Sequence, residues 1–171
     1  RQSMVDLSLV GAKVLVTGGA GFIGSELVSQ LAGMGASVIA VDNLVNGKRE
    51  NLNSIVSDQV SLEVIDIRDF TAMGELLAGV DIIFHLACLG VRHSIHNPQE
   101  NHEVNADATL NLLKLAKLLK VERFVYVSTS EVYGTAINTP MTEQHPTMPH
   151  TIYGGSKLAG ECYARAFFET Y

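Results

Sequence analysis

The sequence predicts an α/β protein built on a doubly wound parallel sheet. Two observations carry that expectation. Short β-branched and aliphatic runs alternate along the chain with amphipathic helical stretches, the pattern of parallel strands covered by helices on both faces. The first run, Val14-Leu15-Val16, stops at glycines spaced G-x-x-G-x-x-G (Gly18, Gly21, Gly24) and restarts as a helix. No repeat, low-complexity segment or composition shift divides the 171 residues, so one domain is expected over 1–171.

Taken in order, the glycine turn leads into a helix over 22–34, and residues 36–41 form a second buried strand ended by Asp42-Asn43. Polar residues 43–53 form a loop, with a short helix at 49–56. A third strand, 60–65, stops at Asp66. Residues 70–78 have helical spacing, with Asp69 placed as N-cap. Residues 81–86 are a fourth strand, followed by a loop containing His93 and His96. Pro98 then opens a long helix to about Lys120. Residues 124–128 are a fifth strand. A stretch with Pro140, Pro146 and Pro149 precedes a last helix from about Tyr153 to the end. Right-handed crossovers make this a Rossmann sheet, with ligands outside the carboxyl ends of the strands. Such a fold wants a sixth strand, so the chain is expected to be part of a longer enzyme whose C-terminal substrate-binding part is missing.

Bulk properties exclude some classes. A formal charge of −6 without a basic run argues against nucleic acid or an anionic membrane as partner. No apolar stretch reaches the ~18 residues of a membrane span. Residues 1–10 lack a signal-peptide layout, so a cytoplasmic location is expected. Cys88 and Cys162 read as buried free thiols. Six histidines without zinc-type spacing predict no metal site.

The chemistry starts at the turn. Gly18 lets the chain leave the strand sharply, Gly21 removes a Cβ that would block a pyrophosphate, and Gly24 lets the helix pack close to the sheet. The free N–H groups at Phe22 and Ile23 then face the anion. Asp42 ends the second strand, 24 residues after Gly18. A carboxylate there accepts from both adenosine ribose hydroxyls and repels a 2′-phosphate, which selects NAD over NADP. Asp66 and Ile67 either flank the adenine or, for the acid, cap a helix. Tyr153 and Lys157 stand at i and i+4 on one helical face. A free tyrosine has a pKa of about 10, and an ammonium one turn away, with a positive nicotinamide ring, would favour its phenolate. Ser128-Thr129-Ser130-Glu131 places hydroxyls at the same sheet edge.

These motifs occur together and in order: Thr17-Gly18-Gly19-Ala20-Gly21-Phe22-Ile23-Gly24, Asp42-Asn43-Leu44, His85-Leu86-Ala87, Asn105, Ser128-Thr129-Ser130-Glu131-Val132-Tyr133-Gly134 and Tyr153-x-x-x-Lys157. From about Ala12 onward the chain resembles the extended short-chain dehydrogenase/reductases, and more narrowly the NAD-dependent nucleotide-sugar epimerases and dehydratases. The resemblance implies that Thr129 binds the sugar O4, that Tyr153 is the general base, and that Lys157 holds the nicotinamide ribose while lowering the tyrosine pKa. It further implies that Asn43, Asn46 and Gly47 cover the adenosine end, that Leu86 and Ala87 line the cofactor, and that Asn105 lies near the active site. Ser128 and Asn105 are counted with the cofactor-binding residues. It also implies a homodimer formed by the Pro98 helix and the Tyr153 helix. Leu110, Leu113 and Leu118 cannot report this, being needed in the core.

In such enzymes Tyr153 would take the C4 hydroxyl proton while hydride passes to NAD, giving a 4-keto sugar. Turning that sugar over makes a 4-epimerase; losing water makes a 4,6-dehydratase; losing a C6 carboxylate makes a decarboxylase. Asp42-Asn43-Leu44-Val45-Asn46-Gly47-Lys48-Arg49 and Gly90-Val91-Arg92-His93-Ser94 are similar to the 4-epimerases, including those acting on UDP-glucuronate. Glu131 is a carboxylate that a pure epimerase does not need, so it is either an extra base or a rim residue. Gly155 stands where Ala is usual and loosens the helix slightly. The expectation is a nucleotide-sugar 4-epimerase acting on a UDP-sugar, with a dehydratase or decarboxylase as alternative. A non-catalytic NAD-binding regulator is a separate class, disfavoured by the complete Thr129, Tyr153 and Lys157 set.

Overall fold

A computed structural model describes residues 9–171, so the signal-peptide reading of 1–10 lies largely outside the described residues. Five strands, β1 (Lys13–Thr17), β2 (Ser37–Asp42), β3 (Val60–Val64), β4 (Ile82–His85) and β5 (Arg123–Tyr126), form one parallel sheet in the order β3-β2-β1-β4-β5. The order reverses between β1 and β4, Val14 pairing with Val38 on one side and Ile82 on the other. A doubly wound sheet opens its crevice at that point.

Period-2 alternation in β1 splits the core. Val14 and Val16 join Val28 and Leu31 of α1 (Phe22–Gly33) on one face. Leu15 joins Met73 of α2 (Phe70–Leu76) on the other. All three strand side chains are fully buried, which is why β1 reads as an unbroken apolar run. Each such burial contributes about 1.5–3 kcal/mol. Asp69 caps α2 as expected, its carboxylate accepting from Ala72 N at 3.0 Å.

Three sequence expectations are corrected. The segment holding His93 and His96 is a helix, α3 (Val91–His96), not a loop. It is six residues of mixed polarity with Gly90 as N-cap, too short for a periodic signal. The long Pro98 helix is interrupted: α4 (Pro98–His102) passes through a π-helical turn (Glu103–Asp107) into α5 (Ala108–Leu118). The short helix expected over 49–56 is a 3₁₀ turn, Arg49–Leu52. The last helix, α6 (Ile152–Thr170), starts with the Thr151 hydroxyl accepting from Gly154 N at 2.9 Å. It packs against α4 and α5.

Burial brings two more corrections. Cys88 is half-buried and Cys162 exposed, though both are free thiols. Leu113 is in the core while Leu118 is 73% exposed. Among the described residues no helix is long and apolar enough to cross a membrane, and no group of three potential metal ligands is present.

Candidate active site

The glycine turn opens a cleft of about 360 Å³ at the β1/β4 reversal. Gly18 has φ +69°, and a Cβ there would lie 2.9 Å from Ala87 N, so only glycine fits this turn. Gly24 faces the turn, not the sheet: its Cβ would stand 2.0 Å from Gly18 O. Gly21, the N-cap of α1, has no side chain to cap the helix. The N–H groups of Phe22, Ile23 and Gly24 make no hydrogen bond to a described residue outside the helix, and Phe22 is 93% exposed. Unpartnered donors at a helix start are the arrangement an anionic pyrophosphate fits.

Along the cleft lie Gly18, Gly21, Phe22, Asp42, Asn43, Asn46, Gly47, Asp66, Ile67, Leu86 and Ala87. Most of the residues expected to hold a dinucleotide are therefore brought together. Asp42 is already engaged, its two oxygens accepting from Ala20 N (3.0 Å) and Leu44 N (2.9 Å). Each oxygen keeps a lone pair for a ribose hydroxyl. A Cβ on Gly47 would fall 2.6 Å from the Asp42 carboxylate, so glycine is what lets that loop close over it. Asp66 does not cap α2. It forms a two-pronged pair with Arg68 (2.7 and 3.0 Å), whose guanidinium holds its carboxyl below the usual carboxylate range. Ile67 is largely core.

Asn105, expected among the cofactor-binding residues, lies buried behind the cleft at 1% exposure and does not line it. Its amide grips both polar groups of the Leu89 backbone (2.8 Å each) and reaches Ser156 Oγ at 3.1 Å. Asn101, one turn earlier, also donates to Leu89 O at 2.8 Å. The π turn leaves both asparagines facing Leu89, a use of π geometry common near functional sites.

The residue so fixed adjoins Cys88, where the cleft meets α6. Tyr153 and Lys157 lie one helical turn apart there, with Glu131 on the 3₁₀ turn Ser130–Val132 that follows β5 and Thr129 as its N-cap. Gly154 lets that turn press on the helix; its Cβ would sit 2.8 Å from Glu131 O. Lys157 is 2% exposed and donates to Val127 O at 2.7 Å. Burial lowers its pKa.

Tyr153 behaves otherwise than expected within the protein's own field. Burial first, then the neighbouring Cys88, raise its pKa; the Thr129 hydroxyl lowers it and the Glu131 carboxylate raises it. Ser128 is engaged by Glu161, to whose carboxylate its hydroxyl donates. From sequence Cys88 reads only as a buried thiol, and Arg68 and Glu161 are not singled out. A thiol between apolar residues and a glutamate on a helix face carry no local signal of proximity.

Beneath the cleft a buried chain fixes the end of β4. Thr109 Oγ1 donates to Asn105 O (2.7 Å), so it accepts from His85 Nε2–H (2.8 Å), leaving His85 Nδ1 to accept from the Thr17 hydroxyl (2.6 Å). Thr17 Oγ1 in turn accepts from Leu86 N and Ala87 N, both at 3.1 Å. Burial, then the Lys157 charge, push the His85 pKa down to about 3 from its ordinary 6.5. The unfolded chain therefore binds an extra proton between those values. Stability from this neutral imidazole is fully present above pH 6.5 and is lost as pH falls toward 3. His85→Gln should flatten the fall of Tm with acid across that window; an unchanged slope contradicts the assignment.

A crevice at the sheet reversal, with Tyr153 and Lys157 on the helix beside it, defines an extended short-chain dehydrogenase/reductase with a Rossmann sheet. The chain belongs to the GDP-mannose 4,6-dehydratase family, whose signature matches residues 15–171. It is 38% identical over 164 residues to the UDP-glucose 4-epimerase of Mycolicibacterium smegmatis, covering 93% of this chain and 52% of that one. It is 40% identical over 154 residues to UDP-glucuronic acid decarboxylase 1 of Arabidopsis thaliana, covering 88% and 33%. The dTDP-glucose 4,6-dehydratase DesIV of Streptomyces venezuelae, solved with NAD bound, superposes with a TM-score of 0.87 at 39% identity, over 94% of this chain and 52% of that one. The chain thus spans about half the length of the epimerase and the dehydratase it matches. Members of the family are NAD-dependent epimerases and dehydratases.

Proposed function

We propose that the chain is the NAD-binding and catalytic part of a nucleotide-sugar 4-epimerase whose substrate is a UDP-sugar. The observation that carries this is the junction at Cys88, where the glycine-turn cleft ends against Tyr153. Bound NAD supplies a hydride acceptor for the sugar C4 and a positive ring that favours the Tyr153 phenolate. Tyr153 takes the proton of the C4 hydroxyl, and Thr129 holds that oxygen and shares the proton. Lys157, fixed on Val127 O, keeps two N–H bonds for the nicotinamide ribose. Once the 4-keto sugar has turned over, the hydride would return to the opposite face of C4 while Tyr153 gives its proton back to O4, leaving the inverted alcohol. The fold superposes on a dehydratase solved with NAD, and both UDP-glucose and UDP-glucuronate enzymes are relatives. A homodimer through the Pro98 helix region and α6 belongs to the same proposal.

Asp42 makes the cleft select against a 2′-phosphate. NAD should raise Tm more than NADP at equal concentration; the reverse order contradicts the assignment.

A second reading rests on Glu131. Its carboxylate is near enough to raise the Tyr153 pKa, and Thr151 Oγ1 donates to it at 3.5 Å. A further carboxylate beside the base suits elimination of water or loss of carbon dioxide. Incubating the full-length protein with UDP-glucose, UDP-glucuronate and their N-acetyl analogues separates the readings. An unchanged mass with inverted C4 by NMR supports the epimerase, and loss of water or carbon dioxide supports the second reading.

A further inference from the structure

Tyr153, Lys157 and Glu161 recur every fourth residue on α6 and so share one face. The first two belong to the proposed mechanism, while Glu161 does not. Three consecutive residues leaving β5 nevertheless bind the 157–161 turn. The Tyr126 hydroxyl donates to Lys157 O at 3.0 Å, Lys157 Nζ donates to Val127 O at 2.7 Å, and the Ser128 hydroxyl donates to the Glu161 carboxylate. The fit depends on Gly160, because a Cβ there would lie 2.2 Å from the Tyr126 hydroxyl oxygen. The Lys157 ammonium also lies 4.4 Å from the centroid of the Tyr126 ring.

We propose that Glu161 is a positioning residue: clamped by Ser128, its carboxylate holds the buried Lys157 ammonium charged and in register with Tyr153. An ammonium at 2% exposure whose hydrogen bond goes to a neutral carbonyl would otherwise tend to shed its proton. The charged and titratable groups facing it are His85 and Cys88 from β4 and its loop, Tyr126 from β5, and Tyr153 and Glu161 from α6 itself. His85 is neutral and the two phenols are held protonated by burial. Cys88 and Glu161 are the two neighbours that raise the Lys157 pKa against burial. Of these, Glu161 is the carboxylate, and it is the one anchored at the end of β5. Glu161 acts through Lys157 and does not touch substrate.

The inference rests on the role given above to Lys157, but its test does not need turnover. Full-length protein labelled with ¹³Cε-lysine is titrated without cofactor, and the Lys157 resonance is assigned by its loss in Lys157→Arg. In Glu161→Gln the midpoint should move to lower pH, and Glu161→Asp should restore most of the shift. The alkaline limb of the kcat/KM profile should move down with it, while the acid limb, set by Tyr153, stays. A midpoint equal to wild type in Glu161→Gln overturns the proposal. If Glu161→Gln does not fold, Ser128→Ala, which frees the carboxylate, should shift the midpoint the same way by less; no shift there is equally fatal. Failure of this titration leaves the Tyr153 assignment standing. An active Tyr153→Phe would remove that assignment without moving the titration.

Discussion

Replacing Tyr153 by phenylalanine is expected to lower kcat by about 10²–10⁴, the usual contribution of a positioned general acid–base group, while NAD still binds. The ring is half-buried on α6 beside Cys88 and Thr129, so the substitution keeps the packing and removes only the phenolic oxygen. A stability effect large enough to explain the loss is not expected, and Tm should stay close to wild type. Burial sharpens the point. The protein alone raises the Tyr153 pKa, so a working base at neutral pH needs the positive charge that arrives with the cofactor. The phenol should therefore titrate at lower pH in the NAD complex than in the free protein. Retained turnover in Tyr153→Phe would remove the assigned base.

Gly24→Ala is expected to destabilise the fold strongly. The added Cβ would stand 2.0 Å from Gly18 O and 2.9 Å from Gly18 C, both backbone atoms that cannot swing aside. Relief requires moving α1 away from the turn, an overpacking cost of at least about 2–3 kcal/mol. For a chain of this size that lowers Tm by roughly 5–10 °C. The same movement displaces the N–H groups of Phe22 and Ile23, so NAD binding should weaken in parallel. Gly155→Ala is the matched contrast. It lies inside α6 with nothing within 4 Å of its would-be Cβ, and should stabilise by about 0.5–1 kcal/mol. Equal behaviour of the two variants, by thermal melting and NAD titration, would contradict the close-packing account of the turn.

What could be seen in the sequence was what depends on local pattern. The glycine turn, the Asp69 cap and the apolar strand Val14-Leu15-Val16 each follow from residue type and spacing, and each is found. Helix α3 was missed because six mixed residues contain less than two turns of pattern. The π turn was missed because one extra residue per turn barely alters an apolar stripe, though it aims Asn101 and Asn105 at Leu89. Motif matching placed Asn105 near the site but could not tell a ligand from a buried clamp. The direction of the Tyr153 shift needed three dimensions, since burial and the neighbouring Cys88 set it while the Lys157 ammonium is committed to Val127 O. Glu161 looks like any solvated helix glutamate until Ser128 is seen to reach it.

In the proposed reaction the sugar is oxidised and reduced again at C4 within one site. The direct measurement uses UDP-glucose carrying deuterium at C4, followed by NMR and mass analysis of the product after turnover by the full-length protein. The expected product is UDP-galactose with its deuterium retained at the inverted C4 and none released to solvent. Inverted product that has lost its C4 deuterium to water would contradict it.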